Sequence, residues 1–394
     1  MRWRFAPDVR EPLPSRVVAA LEAQAFISLD VDCEPGAAGS VAVKDSVDVA
    51  GTAITCGSQR SAATFPDQDA AIVEAARAAG YSIMGKTNLE PWAVGATGAN
   101  PWWGTPRNPI RLEWVPGGSS SGSAVAVALG ACQWAIGTDT GGSVRIPAAF
   151  CGIVGLKPSP SVLPTTGCLP LSPSLDNVGI LAPSVDVAQG ALSALNPHVA
   201  VEVLSPSRPR IARPDVSWLG PLDPMTSERW LAIADRADAV ALPDLRRLRR
   251  VAFGILAYEA ALVHGKATST STALYPPALL ELVAHGLSIP HSAYRALLRE
   301  ADGLRQEMTS ALSGYDALAL PTVQQMPPQL GEDVPASRLT KLVLPFNLTR
   351  QPAISVPLFG SRVPIGLQLV GTFEGADGHL LAVARRVTEA RRLG

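Results

Sequence analysis

The chain has 394 residues, of which 47% are hydrophobic, and its formal net charge at pH 7 is -1. A chain of this length and composition can build a large buried core. A charge balance near zero gives no electrostatic basis for binding nucleic acid or an anionic membrane surface. Composition therefore favours a globular protein and argues against both of those partner classes.

The N-terminal segment and the cysteines indicate a reducing compartment. The first eight residues, Met-Arg-Trp-Arg-Phe-Ala-Pro-Asp, lack the apolar segment of a secretory signal, so we expect a cytoplasmic protein. The five cysteines, Cys33, Cys56, Cys132, Cys151 and Cys168, are widely spaced and contain no C-x-x-C pair. We expect free thiols, mostly buried, and neither a disulfide framework, a metal site nor a cofactor.

The first predicted elements form a β-α-β unit. Apolar and polar residues alternate over 40–49, which predicts a strand with Lys44 on the face opposite its valine neighbours. The alanine-rich stretch 69–79 predicts a helix that stops at Gly80, and 81–84 predicts a short buried strand. Such a unit favours a parallel or mixed sheet and hence an α/β fold.

Two loops of small residues follow, one on each side of a helix and a strand. The loop 116–123 leads into a predicted helix over 124–131, and a predicted strand over 133–137 leads into the loop 138–143. Glycine lets the backbone approach a ligand closely, and serine supplies a nucleophile or a proton relay. A further helix begins near Pro147, since proline suits the first helical turn.

The second half of the chain has fewer functional signals. The segment 197–243 is rich in proline, arginine and leucine, and we expect it to leave the core. The remaining predicted elements are an amphipathic helix over 292–312, strands over 315–321, 352–357 and 365–370, and a last helix over 378–391.

The loop that ends at Ser143 has the composition of an acyl-transfer site. Successive small residues can aim several N–H groups at one point, as an oxyanion hole requires. A nucleophilic serine needs a base, and the first half of the chain contains no histidine. Lys44, inside an apolar strand, is the more economical base, because burial lowers the pKa of a lysine. Taken singly, the glycine-serine loop also fits an ordinary turn, and Lys44 also fits a lysine at the edge of a sheet.

The combination resembles the amidase signature family. The motifs are Pro116-Gly-Gly-Ser-Ser-Ser-Gly-Ser123, Gly137-Thr-Asp-Thr-Gly-Gly-Ser-Val-Arg-Ile-Pro-Ala-Ala-Phe-Cys-Gly152 and Gly155-Leu-Lys-Pro158. The resemblance implies a single amidase domain over 1–394, with a catalytic core at about 40–185 and 315–371 and a variable, shortened middle at about 195–250. The implied fold is a large mixed β-sheet covered by helices on both faces.

The resemblance also implies a Ser–cis-Ser–Lys triad. Ser143 would be the nucleophile, Ser119 the bridging serine after a cis peptide bond, and Lys44 the base. The oxyanion hole would be formed by the N–H groups of Thr140, Gly141, Gly142 and Ser143. Supporting, non-catalytic roles are expected for Asp139, Arg145, Ser120 and Lys86.

The substrate pocket is less well marked. By the same resemblance Trp92, Val94 and Ala96 would line it, which predicts an apolar or aromatic acyl group. Thr349-Arg-Gln-Pro352 replaces the Thr-Gly-Leu-Pro that is common in the family. Arg350 would either reach a substrate carboxylate or lie on the surface, and we favour the surface.

Three functions remain open. We favour a hydrolase that cleaves a small-molecule carboxamide to a carboxylic acid and ammonia or an amine, through an acyl-enzyme on Ser143. The first alternative is the glutamine-hydrolysing A subunit of an amidotransferase, which passes ammonia to a partner. The second is a non-catalytic amidase-like binding module, which we disfavour because all three triad residues are present. A homodimer is also left open.

Overall fold

A computed structural model describes residues 3–9, 12–59, 63–199, 208–270, 272–358 and 365–392. Within these ranges, twelve strands form one mixed sheet in the order β1-β2-β4-β3-β5-β7-β6-β11-β12-β10-β8-β9. The strands are β1 (Trp3–Phe5), β2 (Phe26–Asp30), β3 (Gly39–Lys44), β4 (Tyr81–Thr87), β5 (Trp134–Asp139), β6 (Val154–Lys157), β7 (Asn177–Ala182), β8 (Ile211–Pro214), β9 (Asp238–Val240), β10 (Ala317–Pro321), β11 (Ala353–Pro357) and β12 (Gly366–Val370).

Thirteen α-helices occur in the described residues, and none of them is both long and apolar enough to cross a membrane. They are α1 (Ser15–Glu22), α2 (Ala71–Ala78), α3 (Ser121–Ala128), α4 (Arg145–Cys151), α5 (Val185–Leu195), α6 (Val216–Leu219), α7 (Pro224–Ala234), α8 (Leu245–Thr270), α9 (Pro277–Leu287), α10 (His291–Ala311), α11 (Ala336–Leu339), α12 (Pro345–Leu348) and α13 (Asp377–Arg392).

The sheet is buried on both faces. In β3, Val41 and Val43 belong to one hydrophobic cluster and Ala42 to another, because successive side chains of a strand point to opposite faces. Residues of α2, α5, α10 and α13 complete the first cluster, and residues of α1, α3 and α4 complete the second. The expected mixed sheet with helices on both faces is confirmed.

The strand order brings the two predicted site segments together. β3 pairs in parallel with both β4 and β5. The carboxyl ends of parallel neighbours meet at the same edge of a sheet. Lys44 is the last residue of β3 and Asp139 the last of β5, so the base candidate and the glycine-serine loop after β5 share that edge.

The middle of the chain differs from the expectation. Two short strands of the segment 197–243, which was predicted to leave the core, extend the sheet, because β8 pairs in parallel with β10 and β9 pairs with β8. Residues 200–207 lie outside the described part. The 26-residue helix α8, which periodicity did not indicate, follows this segment and packs against α9 and α10.

The packing of α9 on α8 gives a stability test. At Gly286 an added Cβ would lie 1.9 Å from the carbonyl oxygen of Ala257 in α8, whereas at Gly303 of α10 nothing lies within 4 Å. We expect Gly286→Ala to lower the free energy of unfolding by about 1–3 kcal/mol through overpacking. Gly303→Ala, the matched control, should raise it by about 0.4–1 kcal/mol. Urea unfolding followed by circular dichroism measures both, and equal effects would contradict this packing.

Candidate active site

Lys44 is fully buried at the end of β3. Its Nζ donates hydrogen bonds of 2.8 Å to Ser119 Oγ and 2.8 Å to Thr138 Oγ1. Burial lowers the pKa of Lys44 from 10.5 to about 7, and the charges of Asp139 and Asp176 oppose this shift only in part. The neutral amine is therefore populated near neutral pH and can accept a proton.

Ser119 lies in a loop that backbone hydrogen bonds hold on both sides. The peptide bond between Gly118 and Ser119 is cis. The carbonyl of Ser119 accepts from the N–H of Glu90 at 3.0 Å, and the N–H of Ser120 donates to the carbonyl of Ser143 at 3.1 Å. This last bond joins the two glycine-serine loops. The predicted bridging serine and the predicted nucleophile therefore lie in loops whose backbones are hydrogen-bonded to each other.

Ser143 opens onto a cavity of about 620 Å³. Thr140 and Gly141 line it as well, and most of the remaining wall is apolar. The apolar lining residues are Ala93, Val94, Leu171, Phe253, Leu256, Ala278, Leu282, Ala336 and Leu344. Among the described residues no histidine lines this cavity, and Lys44 is linked to the loop next to Ser143 through Ser119. No hydrogen bond joins the Ser119 and Ser143 hydroxyls within the described ranges.

The backbone donors of the loop are not equivalent. The N–H of Gly142 donates to Asp139 Oδ1 at 2.8 Å, so this member of the predicted oxyanion hole is already engaged. Gly142 also has a φ of 114°, and an added Cβ would lie 2.2 Å from Val343, so the position requires glycine. The N–H groups of Gly141 and Ser143 have no acceptor in the described part of the chain, which leaves them available to a substrate oxygen.

Asp139 and Arg145 form a fully buried ion pair that holds the loop. Nη2 of Arg145 lies 2.8 Å from Oδ1 and Nε 3.0 Å from Oδ2. Burial alone would raise the pKa of Asp139, but the charge and N–H donors of Arg145 hold it below the usual range. The ionised carboxylate then accepts from the N–H groups of Gly142 and Val144. Further acceptors of Arg145 are Val343 O, Gln368 Oε1 and Asn347 Oδ1.

Two acids that sequence reasoning missed, the partly buried Asp176 and the buried Glu259, support the neighbouring segment. Asp176 accepts from the Thr140 hydroxyl and from backbone N–H groups of residues 171 and 172. Glu259 of α8 accepts from the hydroxyls of Ser172, Ser174 and Tyr294. Burial, with the Glu259 charge adding to it, raises the pKa of Asp176 against the hydrogen bonds it accepts. The local signal was the Ser-Pro-Ser-Leu-Asp turn, but its partner on α8 lies more than 80 residues away.

The three residues predicted to line the acyl pocket do not lie together in the structure. Val94 lines the cavity, but Trp92 and Ala96 do not. The indole N–H of Trp92 donates to the carbonyl of Leu274 at 3.1 Å, and its ring packs on Tyr275. Ala96 is buried in a hydrophobic cluster with Val115 and Phe150. Of these residues, only Val94 is placed to contact a substrate in the cavity.

Arg350 and Lys86 are each held by an acid outside the cavity. Arg350 forms a bidentate ion pair with Glu374, with both distances 2.7 Å. Lys86 lies 3.3 Å from Asp45, and both side chains are fully buried. Ser120 donates to the carbonyl of Thr138 at 3.3 Å. These contacts are structural, and they place Arg350 on the partly exposed surface.

The cysteines and acids offer no second centre for covalent or metal chemistry in the part of the chain that the structure describes. All five cysteines are free thiols, and burial raises the pKa of Cys56, Cys132 and Cys151. Raised thiol pKa values make these cysteines poor nucleophiles. Within the same ranges, no group of three or more His, Cys, Asp or Glu is arranged to hold a metal ion.

Comparisons with known proteins place the chain in a family. The Amidase family matches residues 39–217 and 238–381. The A subunit of glutamyl-tRNA(Gln) amidotransferase from Symbiobacterium thermophilum is 34% identical, over 90% of this chain and 83% of the relative. The crystal structure of an amidase superposes with a TM-score of 0.83 at 34% identity, covering 89% of this chain and 84% of that one.

A second solved structure widens the range of substrates among similar proteins. The structure of 6-aminohexanoate cyclic dimer hydrolase has a TM-score of 0.77 at 26% identity, covering 89% of this chain and 84% of that one. The reaction class follows from two findings. The family match covers most of the chain, and the structure is similar to those of an amidase and a cyclic dimer hydrolase. The chain belongs to the amidase family and is an enzyme that hydrolyses amide carbon–nitrogen bonds.

Proposed function

We propose that the enzyme hydrolyses a small-molecule carboxamide through an acyl-enzyme on Ser143, with Lys44 and Ser119 as its proton relay. The observation that carries this proposal is the buried amine of Lys44, 2.8 Å from the Ser119 hydroxyl. Its pKa of about 7 suits a general base that works near neutral pH. Ser143 supports the proposal from the other side, because it lines the cavity that would receive the amide.

The relay follows from this arrangement. Neutral Lys44 accepts a proton from Ser119, and Ser119 accepts one from Ser143 as the Ser143 oxygen attacks the amide carbonyl. Rotation of the two hydroxyls makes the link between them, since hydrogen bonds of a free site commonly tighten when substrate binds. The N–H groups of Gly141 and Ser143 stabilise the oxyanion. The relay then returns the proton to the leaving nitrogen as the carbon–nitrogen bond breaks.

A second passage through the relay completes the reaction. Water enters the cavity, loses a proton towards Ser119 and Lys44, and attacks the ester carbonyl of acylated Ser143. The carbon–oxygen bond to Ser143 breaks, and the serine regains its proton. The products are a carboxylic acid and ammonia or an amine. The apolar wall of the cavity, which includes Val94, favours an acyl group with an apolar portion.

The glutamine-hydrolysing component of an amidotransferase is the second candidate. The Symbiobacterium relative bears that name, and a Halobacterium salinarum protein of the same name is 31% identical over 88% of this chain. These names support the second candidate more than a stand-alone hydrolase, and they would give the chain a protein partner. Membership of an enzyme family removes the non-catalytic binding module from consideration.

Glutamine hydrolysis and complex formation separate the two candidates. A stand-alone hydrolase should release ammonia from carboxamides whose acyl group has an apolar portion with a higher kcat/KM than from L-glutamine, and should purify without a second chain. The amidotransferase component should show the reverse preference and co-purify with a partner from its native cells. An ammonia-release assay and affinity purification of the tagged chain measure these properties.

Replacement of the proposed nucleophile tests the acyl-enzyme. Ser143→Ala should lower kcat/KM by on the order of a thousandfold or more on any cleaved amide. Lys44→Met should lower it by roughly a hundredfold or more, because the base is lost. The matched control is Ser123→Ala, which removes a buried hydroxyl bonded to Thr87 at 2.6 Å, away from the cavity. Full activity of Ser143→Ala would rule out the proposed nucleophile.

A further inference from the structure

Helix α8 presents one face to the cavity, and that face changes from cationic to apolar along the helix. The cavity-lining residues of α8 recur at helical spacing and are Arg246, Arg249, Arg250, Phe253 and Leu256. The arginines come first and the apolar residues follow. At 1.5 Å per residue, Arg249 and Leu256 are about 10 Å apart along the helix. The cavity therefore has a cationic end and an apolar end.

The segment 336–344, which also lines the cavity, shows which end is nearer to Ser143. Leu344 lies beside the nucleophile loop, since an added Cβ at Gly141 would be 3.3 Å from its Cδ1. Ser337, seven residues earlier on the same wall, accepts a hydrogen bond of 2.8 Å from Nη2 of Arg249. Thr340 lines the cavity between them. The cationic end is thus at Ser337, one end of this segment, and the Ser143 loop is at Leu344, the other end.

Arg249 lacks the acidic partner that its neighbours have. Arg250 is bound by both carboxylate oxygens of Glu300, at 2.7 and 2.8 Å. Arg247, which does not line the cavity, pairs with Glu300 and Glu307. Nε of Arg249 is buried and has no hydrogen-bond acceptor, and no described carboxylate lies within ion-pair distance of this guanidinium. Nη1 also has no acceptor among the described residues but is not buried, so it is the donor that an anionic ligand in the cavity can reach.

The other charges around Arg249 also favour an anion. Arg246 is exposed on the same face and forms no ion pair with a described residue. Lys341 lies near Arg249 outside the cavity, and its pKa is lowered by burial and then by the Arg249 charge. The acid of the described cavity lining is Glu281 of α9, which is exposed. Cations therefore outnumber acids around the cavity.

We propose that the cavity selects anionic amides, with Arg249 binding a carboxylate on the acyl part of the substrate. The planar guanidinium fork matches a carboxylate with two parallel hydrogen bonds. Arg246 strengthens the local positive field, and the apolar wall accommodates a spacer between the carboxylate and the scissile amide. This inference rests on the proposed function for the position of that amide at Ser143. The substrate class is the monoamide of a dicarboxylic acid, which water converts to the dicarboxylate and ammonia.

Binding to a Ser143→Ala protein tests the subsite without requiring turnover. Isothermal titration compares adipamate with hexanamide, which lacks the carboxylate, and with the amide of ε-aminocaproic acid, which carries a cation. Adipamate should bind about tenfold to a hundredfold more tightly than hexanamide, and the cationic amide least tightly. Adding Arg249→Met should remove the preference for adipamate, and Arg249→Lys should retain part of it.

Arg247→Met is the matched control, because it removes an arginine from the same helix but not from the cavity wall. The preference for adipamate should persist in this variant. Equal binding of adipamate and hexanamide, or a preference that survives Arg249→Met, would overturn the subsite. Tight, Arg249-dependent adipamate binding by a wild-type enzyme that hydrolyses none of the three amides would instead support the subsite and count against the proposed function. Thermal unfolding of each variant verifies that it is folded.

Discussion

The burial of the Lys44 amine without a carboxylate partner is the constraint on which the site depends. The two acidic charges that act most strongly on its pKa both have other partners, Asp139 with Arg145 and Asp176 with Thr140. Lys44 itself bonds only to hydroxyls among the described residues. A carboxylate in direct contact would stabilise the ammonium and raise the pKa. Burial leaves a neutral amine beside Ser119, and neither acid is in direct contact with it to reverse that effect.

The Asp139–Arg145 pair connects this base to the rest of the molecule. Arg145 begins α4, directly after the loop of Ser143, and its partners include Asn347 of α12 and Gln368 of β12, more than 200 residues away. Buried ion pairs are stable only when further hydrogen bonds satisfy them, and here every partner is a buried polar group. The two motif-rich halves of the chain thus meet at one guanidinium, which fixes the loop that carries the proposed nucleophile.

Much of the fold could be predicted from the sequence, because the residue patterns that mark strands and helices are local. Alternation over 40–49 predicted a strand that the structure ends at Lys44, and the amphipathic stretch 292–312 became α10, His291–Ala311. The helix expected over 124–131 begins earlier, at Ser121, because the serine-rich loop itself enters the first turn. The last two strands of the sheet, β8 and β9, were not predicted, because their segment is rich in proline and arginine and their pairing depends on the distant β10.

The residues that line the cavity could not be predicted from the sequence in the same way. Arg350 and Arg249 look alike in sequence, yet Glu374 binds the first and no described acid binds the second. Only tertiary packing decides which arginine faces a cavity. The same applies to Glu259, whose serine partners lie on a distant turn. Motif resemblance identified the residues around the bond to be cleaved, whereas the chemistry of the acyl pocket required coordinates.

Activation of Ser143 by a neutral Lys44 is the central claim. The most direct test is the rate at which a fluorophosphonate labels the enzyme between about pH 5 and 9, with peptide mapping of the adduct. We expect an adduct on Ser143 and a rate that rises with pH through about 7 and then levels off, because Lys44 loses its proton there. Labelling at another residue, or a Ser143 rate that is independent of pH across this range, would contradict it.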